Sequence, residues 1–155
     1  MFVNPTLDEL SAAADAAQLT MLQLHGDEGP AFCAEAARRT GCRVIRAVRV
    51  RSAADVRAAE VFRTDFHLFD AHHESARGGT GESFDWELVA EGRSTIPFIL
   101  AGGLTPDNVG EAIAVTGPYA VDVASGVESA PGVKAPELVA AFFDAARPAA
   151  RSATA

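Results

Sequence analysis

The sequence predicts an α/β fold in which helices cover a parallel sheet of about six strands. Two observations support this prediction. Short apolar runs without helical spacing recur along the chain, and a helical segment with its own start and stop signals follows each run. Strands and helices that alternate in this way form right-handed βα units, whose strands lie parallel in one sheet. The predicted strands begin near Phe2, Met21, Arg43, Phe66, Phe98 and Ala120.

Capping residues mark the first three helices. Thr6 and Glu9 have the spacing of a capping box, so the first helix begins there. The second helix extends over 30–40 and ends at Gly41, and Ser52 is the N-cap of the third.

The fourth strand, over 65–70, ends in a carboxylate, Asp70. A long polar loop over 71–83 follows, and it contains Gly78-Gly79-Thr80-Gly81. Because this loop is longer than a plain βα connection needs, we predict that it is a lid over a site. The next helix begins around 84–86.

The fifth strand, Phe98–Ala101, leads into Gly102 and Gly103, and Thr105 with Pro106 predicts the start of a helix. Unpaired N–H groups at a helix start, beside glycines that lack a Cβ, suit an anion such as phosphate. The same pattern also occurs in βα turns that bind nothing, so by itself it leaves both interpretations open.

The sixth strand covers Ala120–Ala124 and leads into a second glycine turn. The last helix extends from Pro136 to about Ala146. The end of the chain is small and polar, so we predict a single domain over 1–147 and a disordered tail over 148–155.

The positions of polar residues favour a barrel over other parallel sheets. His25, Asp70, Gly102 and Ser125 all fall at carboxyl ends of predicted strands, where β/α barrels build their sites. A dinucleotide-binding sheet is disfavoured because no G-x-G-x-x-G sequence opens a helix. A closed barrel of this kind has eight strands, so the sequence predicts an incomplete barrel of about six βα units.

Composition excludes several classes of partner. The chain has a formal net charge of −8 and a pI near 4.9, which argues against binding to nucleic acid or an anionic membrane but not to a small anion. No apolar run is long enough to cross a bilayer, and Cys33 and Cys42 lack the spacing of a metal or redox motif. We therefore expect a cytoplasmic protein without a bound metal.

Four segments carry motifs at a suitable spacing, namely Gln23–Glu28, Gly78–Gly81 with Phe84–Trp86, Ala101–Val109 and Val121–Glu128. In this order they resemble phosphoribosylanthranilate isomerase, over residues 2–146. The resemblance implies a TIM (β/α)8 barrel of tryptophan biosynthesis that needs no cofactor. It also implies the reaction, the Amadori rearrangement of N-(5-phosphoribosyl)anthranilate to 1-(2-carboxyphenylamino)-1-deoxyribulose 5-phosphate.

Site residues follow from the same resemblance. Asp70 stands where the family has the general acid that protonates the ribose ring oxygen, and the alternative is a carboxylate that caps the loop. Ala124 stands where the family commonly has a serine, so a hydroxyl contact is lost there. The implied contacts to the substrate phosphate come from Gly102, Gly103, Leu104, Asp122, Ala124, Ser125 and Gly126.

Three basic residues are weaker candidates for the substrate pocket. His25 is expected near the anthranilate, although a hydrogen bond to the backbone explains this histidine equally well. Arg46 and Arg49 each offer positive charge to a carboxylate, and strand alternation leaves open which of them is instead a solvated strand end.

Two features of the resembled family are missing from this sequence. The family begins with a strand that carries Lys-x-Cys-Gly, whose cysteine is the general base, and its second βα unit supplies an arginine. Cys33 and Cys42 do not replace that cysteine, because one lies in a helix and the other precedes a strand. We expect Met1 to mark a truncated reading frame or a fragment, impaired in isolation and complemented by an N-terminal fragment.

Two alternatives remain open. The first is a non-catalytic phosphate-binding fragment that self-associates through open sheet edges. The second is a different phosphosugar enzyme on the same barrel, because a fold alone does not fix a function.

Overall fold

Five parallel strands form one sheet within the described residues, and they lie in it in the order of the sequence. The computed structural model describes residues 1–70 and 86–152, with side chains as far as residue 147. A doubly wound sheet reverses its strand order in the middle, whereas a β/α barrel does not. The predicted fold class is therefore confirmed, and the described sheet is open. Its strands are β1 Met21–Leu24, β2 Arg43–Arg49, β3 Phe66–Asp70, β4 Phe98–Ala101 and β5 Ala120–Val121.

The helices follow the predicted pattern. The predicted capping box of Thr6 with Glu9 is present, and the predicted N-cap Ser52 forms a second capping box with Asp55. Gly41 follows the second helix with a φ of 67°, a conformation that glycine adopts without steric cost. The helices are α1 Leu7–Ala17, α2 Pro30–Thr40, α3 Ala53–Ala59, α4 Glu87–Gly92, α5 Val109–Thr116 and α6 Pro136–Ser152.

The first and last predicted strands are shorter than expected. The strand predicted near Phe2 is reduced to one bridge between Phe2 and Leu24, because the chain turns away at Asn4, whose φ is 49°. The strand predicted over 120–124 ends at Val121. Beyond it the chain forms a short 3-10 turn over Ser125–Val127 and then an antiparallel hairpin of β6 Glu128–Ala130 and β7 Val133–Lys134.

Two helix boundaries also differ. Helix α5 begins at Val109 instead of Pro106, because Asn108 and not Thr105 is the N-cap. Helix α6 continues to Ser152 instead of ending near Ala146, and it passes through Pro148. The predicted disordered tail over 148–155 lies outside the residues whose side chains are described, and it stays a prediction.

The outer face of the sheet packs against the helices. Leu22, Leu24 and Val44 pack against α1 and α2, and Phe69 and Leu100 pack against the later helices. His67 also lies on this face. It is fully buried without a hydrogen-bond partner for either ring nitrogen among the described residues, and burial lowers the pKa of its imidazole.

The inner face of the sheet has its own apolar cluster. Because side chains alternate along a strand, the inner positions are the odd ones in β1, β2 and β4 and the even ones in β3. This face is therefore the interior of the predicted barrel, and its carboxyl end is where the site is expected. The cluster consists of Ile45, Ala47, Phe66, Leu68 and Ala101, with Met21 and Ile99 packed against it.

Two further predictions concern the loop after β3 and membrane spans. The predicted lid over 71–83 and its Gly78–Gly81 motif lie outside the described residues. Within the described ranges, no helix has both the length and the apolar character that a membrane span requires.

Candidate functional site

Four polar side chains lie on the inner face at the carboxyl ends of the strands, and we call this region the carboxyl-terminal rim. His25 follows β1, Arg49 ends β2, Asp70 ends β3 and Asp122 follows β5. The strand pairing sets their order around the rim, because Arg49 pairs with Asp70 and Asp70 pairs with Ala101, the residue before Gly102. The general-acid candidate therefore lies next to the first glycine turn.

His25 and Asp70 are brought together on this rim. The His25 Nε2 atom lies 3.9 Å from Asp70 Oδ2, and the two side chains are 34% and 23% exposed. The Gln23 side-chain amide nitrogen lies 3.2 Å from His25 Nδ1, within hydrogen-bond distance, and the other ring nitrogen, Nε2, faces Asp70. Gln23 lies two residues before His25 on the same strand face, so β1 fixes the orientation of this ring.

The first glycine turn is held by a side chain that the sequence analysis did not single out. Gly102 and Gly103 have φ values of 90° and 67°, which favour glycine. Asn108 Oδ1 accepts from the Thr105 backbone N–H over 2.7 Å, and Asn108 Nδ2 donates to the Gly103 carbonyl over 3.1 Å. An asparagine three residues after a threonine is the sequence signal for these two hydrogen bonds, although a helix start predicted at Thr105 and Pro106 places Asn108 inside the helix.

The second glycine turn packs directly on the first. A Cβ added to Gly126 would collide with the Leu104 carbonyl oxygen, so only glycine allows this approach. Lys134 Nζ donates to the Ala124 carbonyl over 2.7 Å and to Glu128 over 2.8 Å, and it thereby ties the β6–β7 hairpin to the turn. Ser125 and Ala124 remain exposed. The two predicted anion turns thus form one continuous surface, which we call the double turn.

Arg46 lies on the opposite face from these groups. Its side chain is 10% exposed, and its Nη1 atom is 2.7 Å from Glu28 Oε2, which is itself 2% exposed. Its guanidinium also lies over the Phe62 ring, 4.9 Å from the centroid, and donates to the Gly26 carbonyl over 2.8 Å. The predicted pocket residue therefore sits between the sheet and the helices, away from the rim, because even-numbered side chains of β2 point outward.

Glu28 completes this buried cluster. Its carboxylate accepts from the Asn4 N–H over 2.7 Å and from the Gly26 N–H over 2.9 Å, in addition to Arg46. Together, Glu28 and Arg46 hold the backbone on both sides of Gly26, directly after His25. Glu28 belongs to the Gln23–Glu28 motif, and nothing in the local sequence pattern indicates that its side chain is buried.

Both cysteines lie away from the rim. Cys33 and Cys42 are buried among the residues that pack α1 and α2 on the sheet. Burial raises the pKa of the Cys33 thiol, which disfavours its thiolate. Among the described residues, no group of three or more histidine, cysteine, aspartate or glutamate side chains is arranged to hold a metal ion.

Comparison with known proteins agrees with this arrangement. Residues 1–145 match the family model of N-(5'-phosphoribosyl)anthranilate (PRA) isomerase. The chain is 47% identical over 147 residues to the isomerase of that name from Geotalea uraniireducens, covering 95% of this chain and 70% of the relative. It is 48% identical over 149 residues to the one from Pseudomonas fluorescens, covering 95% and 69%.

Solved structures give the same result. The phosphoribosyl anthranilate isomerase from Thermotoga maritima superposes with a TM-score of 0.83 at 38% identity, over 95% of this chain and 71% of that one. A second structure, of the isomerase in complex with reduced 1-(o-carboxyphenylamino)-1-deoxyribulose 5-phosphate, has a TM-score of 0.77 at 35% identity, over 95% and 69%. This chain therefore belongs to the N-(5'-phosphoribosyl)anthranilate isomerase family.

Proposed function

We propose that this isomerase binds N-(5'-phosphoribosyl)anthranilate across the carboxyl-terminal rim, with the phosphate on the double turn and Asp70 beside the sugar. One observation carries the proposal: Asp70 pairs with Ala101, which leads directly into the Gly102 turn. A sugar phosphate whose phosphate rests on the double turn then has its ribose next to the Asp70 carboxyl group. Exposed backbone at the glycines suits an anion, since no Cβ blocks its approach.

Asp70 is proposed as the general acid. Opening the ribose ring requires a proton on the ring oxygen, and the rearrangement then requires removal of the proton from C2. Asp70 supplies the first proton from the carboxyl end of β3, next to the inner-face cluster that contains Leu68 and Ala101. His25, 3.9 Å from Asp70, lines the same pocket on the side away from the double turn.

The second proton transfer requires a base, and neither cysteine of this chain is placed to provide it. Both cysteines are buried away from the rim. The described sheet is open at β5 on one side and at the single Phe2 bridge on the other, so parallel strands of another segment have edges to pair with. We propose that an N-terminal segment with the family's Lys-x-Cys-Gly strand fills this gap and provides the base, and that turnover is impaired without it.

The complementation test measures loss of substrate fluorescence. We expect the 155-residue chain to turn over little substrate alone and to gain turnover when the first two βα units of a relative are added as a separate chain. The matched control is the same fragment with its Lys-x-Cys-Gly cysteine replaced by serine, which should pair with the sheet and restore no turnover. Full turnover by the chain alone would refute the need for an external base.

The open edges of the sheet also support one alternative function. If the sheet edges pair with a second copy, the chain is a phosphate-binding fragment that self-associates and does not catalyse. Sedimentation of the chain with and without the fragment separates the two proposals, since the catalytic proposal expects a one-to-one complex.

We also propose that the protein is cytoplasmic, in line with the class of reaction.

A glycine substitution tests the double turn. We expect Gly126→Ala to cost about 1–3 kcal/mol, because the new Cβ collides with the Leu104 carbonyl, and the affinity for inorganic phosphate should fall roughly tenfold or more. The control is Gly110→Ala in α5, where the new Cβ lies 3.5 Å from the Ala145 carbonyl, an ordinary contact. Calorimetric titration with phosphate measures both variants. Unchanged phosphate affinity in Gly126→Ala would remove the double turn from the site.

A further inference from the structure

The β6–β7 hairpin carries a lysine that is bound to the backbone of the second glycine turn. Lys134 is the only lysine of the sequence. Its Nζ atom donates to the Ala124 carbonyl over 2.7 Å and to Glu128 Oε1 over 2.8 Å. One ammonium group therefore links a main-chain carbonyl of the turn to a carboxylate of the hairpin.

The hairpin holds Lys134 in a fixed position relative to the turn. Its strands are short and mostly exposed, and a two-stranded hairpin has little stability by itself. Its base is anchored, because the N–H of buried Ala135 donates to the carbonyl of buried Val127 over 2.9 Å. Glu128 pairs with Lys134 across the strands and also accepts from the Gly132 N–H over 3.1 Å. The lysine, directly before the anchored residue, is thus held at its backbone and at its ammonium group.

The hydrogen bond to the Ala124 carbonyl also sets the direction of the next N–H group. The carbonyl of Ala124 and the N–H of Ser125 belong to one planar trans peptide, in which the two groups point in opposite directions. Because Lys134 holds the carbonyl towards the hairpin, the Ser125 N–H points away from the lysine.

This N–H group is free to bind a ligand. Within the described residues, no acceptor contacts the N–H of Ser125 or of Gly126. Ala124 carries no hydroxyl group, so contacts of a phosphate with this part of the turn come from the backbone. Backbone N–H groups bind an anion well only when they converge on it, so their direction affects the affinity.

The charge of the lysine is largely offset by its partner. Lys134 is 49% exposed and Glu128 17% exposed, and the hydrogen bond from the lysine lowers the pKa of the Glu128 carboxyl group. Glu128 therefore stays ionised beside the ammonium group, and the pair has little net charge with which to attract a phosphate. The effect of Lys134 on binding should come from the backbone that it holds.

We propose that Lys134 is a positioning residue for phosphate binding, because its hydrogen bond to the Ala124 carbonyl directs the Ser125 N–H towards a phosphate on the double turn. The proposal rests on the proposed function, since it takes the double turn as the phosphate site. Lys134 itself acts through the backbone and makes no contact with the phosphate.

The experiment measures the affinity for inorganic phosphate by calorimetric titration. The proteins are the unaltered chain, Lys134→Met, Lys134→Arg, Glu128→Met and the control Arg39→Met. Arg39 is 39% exposed and pairs with Glu35 and Asp8 on the helix surface. Its replacement removes a paired, partly exposed positive charge, as Lys134→Met does, but without a contact to the double turn.

We expect Lys134→Met to weaken phosphate binding by roughly 3- to 30-fold, part of the effect of a lost hydrogen bond to a charged group. Lys134→Arg should restore most of the affinity, because a guanidinium also donates to both acceptors, and Arg39→Met should keep all of it. Unchanged affinity in Lys134→Met, or an arginine variant as weak as the methionine variant, would overturn the proposal.

Glu128→Met separates positioning from charge. Removing this carboxylate makes the surroundings of the turn less negative, which by itself strengthens phosphate binding. It also releases Lys134 from one of its two partners, so positioning predicts weaker binding. Tighter or unchanged binding in Glu128→Met would contradict the proposed role.

The amide signal of Ser125 in an NMR spectrum gives a readout that a loss of stability does not move. Phosphate should shift this signal in the unaltered chain and in Lys134→Arg, and much less in Lys134→Met at saturating phosphate. The Gly103 signal, from the first turn, should shift in all three. Equal shifts of the Ser125 signal in the three proteins would show that its N–H does not depend on Lys134.

The same titrations distinguish a failure of this role from a failure of the proposed function. If the unaltered chain does not bind phosphate, both fail. If it binds phosphate and Lys134→Met binds it equally well, only the role of Lys134 fails. Thermal unfolding of each variant verifies that it is folded.

Discussion

Replacing Asp70 by asparagine is expected to lower turnover by roughly 10²–10⁴-fold, the usual contribution of one general acid. Asparagine has nearly the shape of aspartate but carries no transferable acid proton, so ring opening of the substrate loses its proton donor. The measurement is the loss of substrate fluorescence in the chain complemented with the N-terminal fragment. Binding of the reduced product analogue should change little, because the phosphate contacts of the double turn are intact.

The control for Asp70→Asn makes the same chemical change nearby. Asp107 is exposed in the loop after β4, so Asp107→Asn removes the same charge close to the double turn without touching the rim. We expect Asp107→Asn to retain turnover. If the two variants lose activity equally, the loss comes from the changed electrostatic potential around the site, and Asp70 is not the general acid. If Asp70→Asn keeps full activity, a different group protonates the ring oxygen.

Removing the Glu28 carboxylate is expected to lower the stability of the fold more than any other single substitution considered for this protein. We predict that Glu28→Ala lowers the free energy of unfolding by about 3–5 kcal/mol, because it leaves the Arg46 charge buried without its partner. The Asn4 and Gly26 N–H groups lose their acceptor at the same time. Urea unfolding followed by circular dichroism measures the change.

Two further variants separate the buried pair from an ordinary ion pair. Glu35→Ala removes a carboxylate that pairs with Arg38 and Arg39 at the surface, where hydrogen bonds from both arginines lower its pKa to about 2, and it should cost far less. The double variant Glu28→Met with Arg46→Met should recover much of the loss, because no uncompensated charge remains. A Glu28→Ala variant as stable as Glu35→Ala would show that the buried pair does not hold the loop after β1.

The loop after β1 also matters for the candidate site. Glu28 and Arg46 bind the backbone on either side of Gly26, and His25 directly precedes it. The pair therefore positions His25 from the helix side of the sheet while making no contact with the rim. Arg46, which its charge predicts as a pocket residue, lies on the helix side of the sheet and affects the pocket only through the backbone at Gly26.

The sequence by itself determined the local elements and their order. The capping boxes at Thr6 and Ser52, the C-terminal Gly41 and the glycines after β4 are specified by a few consecutive residues, because caps and positive φ values depend on local backbone chemistry. The βα repeat predicted the parallel barrel-type sheet, and the ordered motifs indicated the family. Both were confirmed.

Only the tertiary structure decided which of these residues meet. Strand register between distant segments sets Asp70 beside the Gly102 turn, turns Arg46 towards Glu28 and Arg49 towards the rim, and brings Gly126 against Leu104. A shift of one residue in register reverses every side chain of a strand. Because that register is fixed by packing across the whole sheet and not by neighbouring residues, no local pattern could have distinguished Arg46 from Arg49.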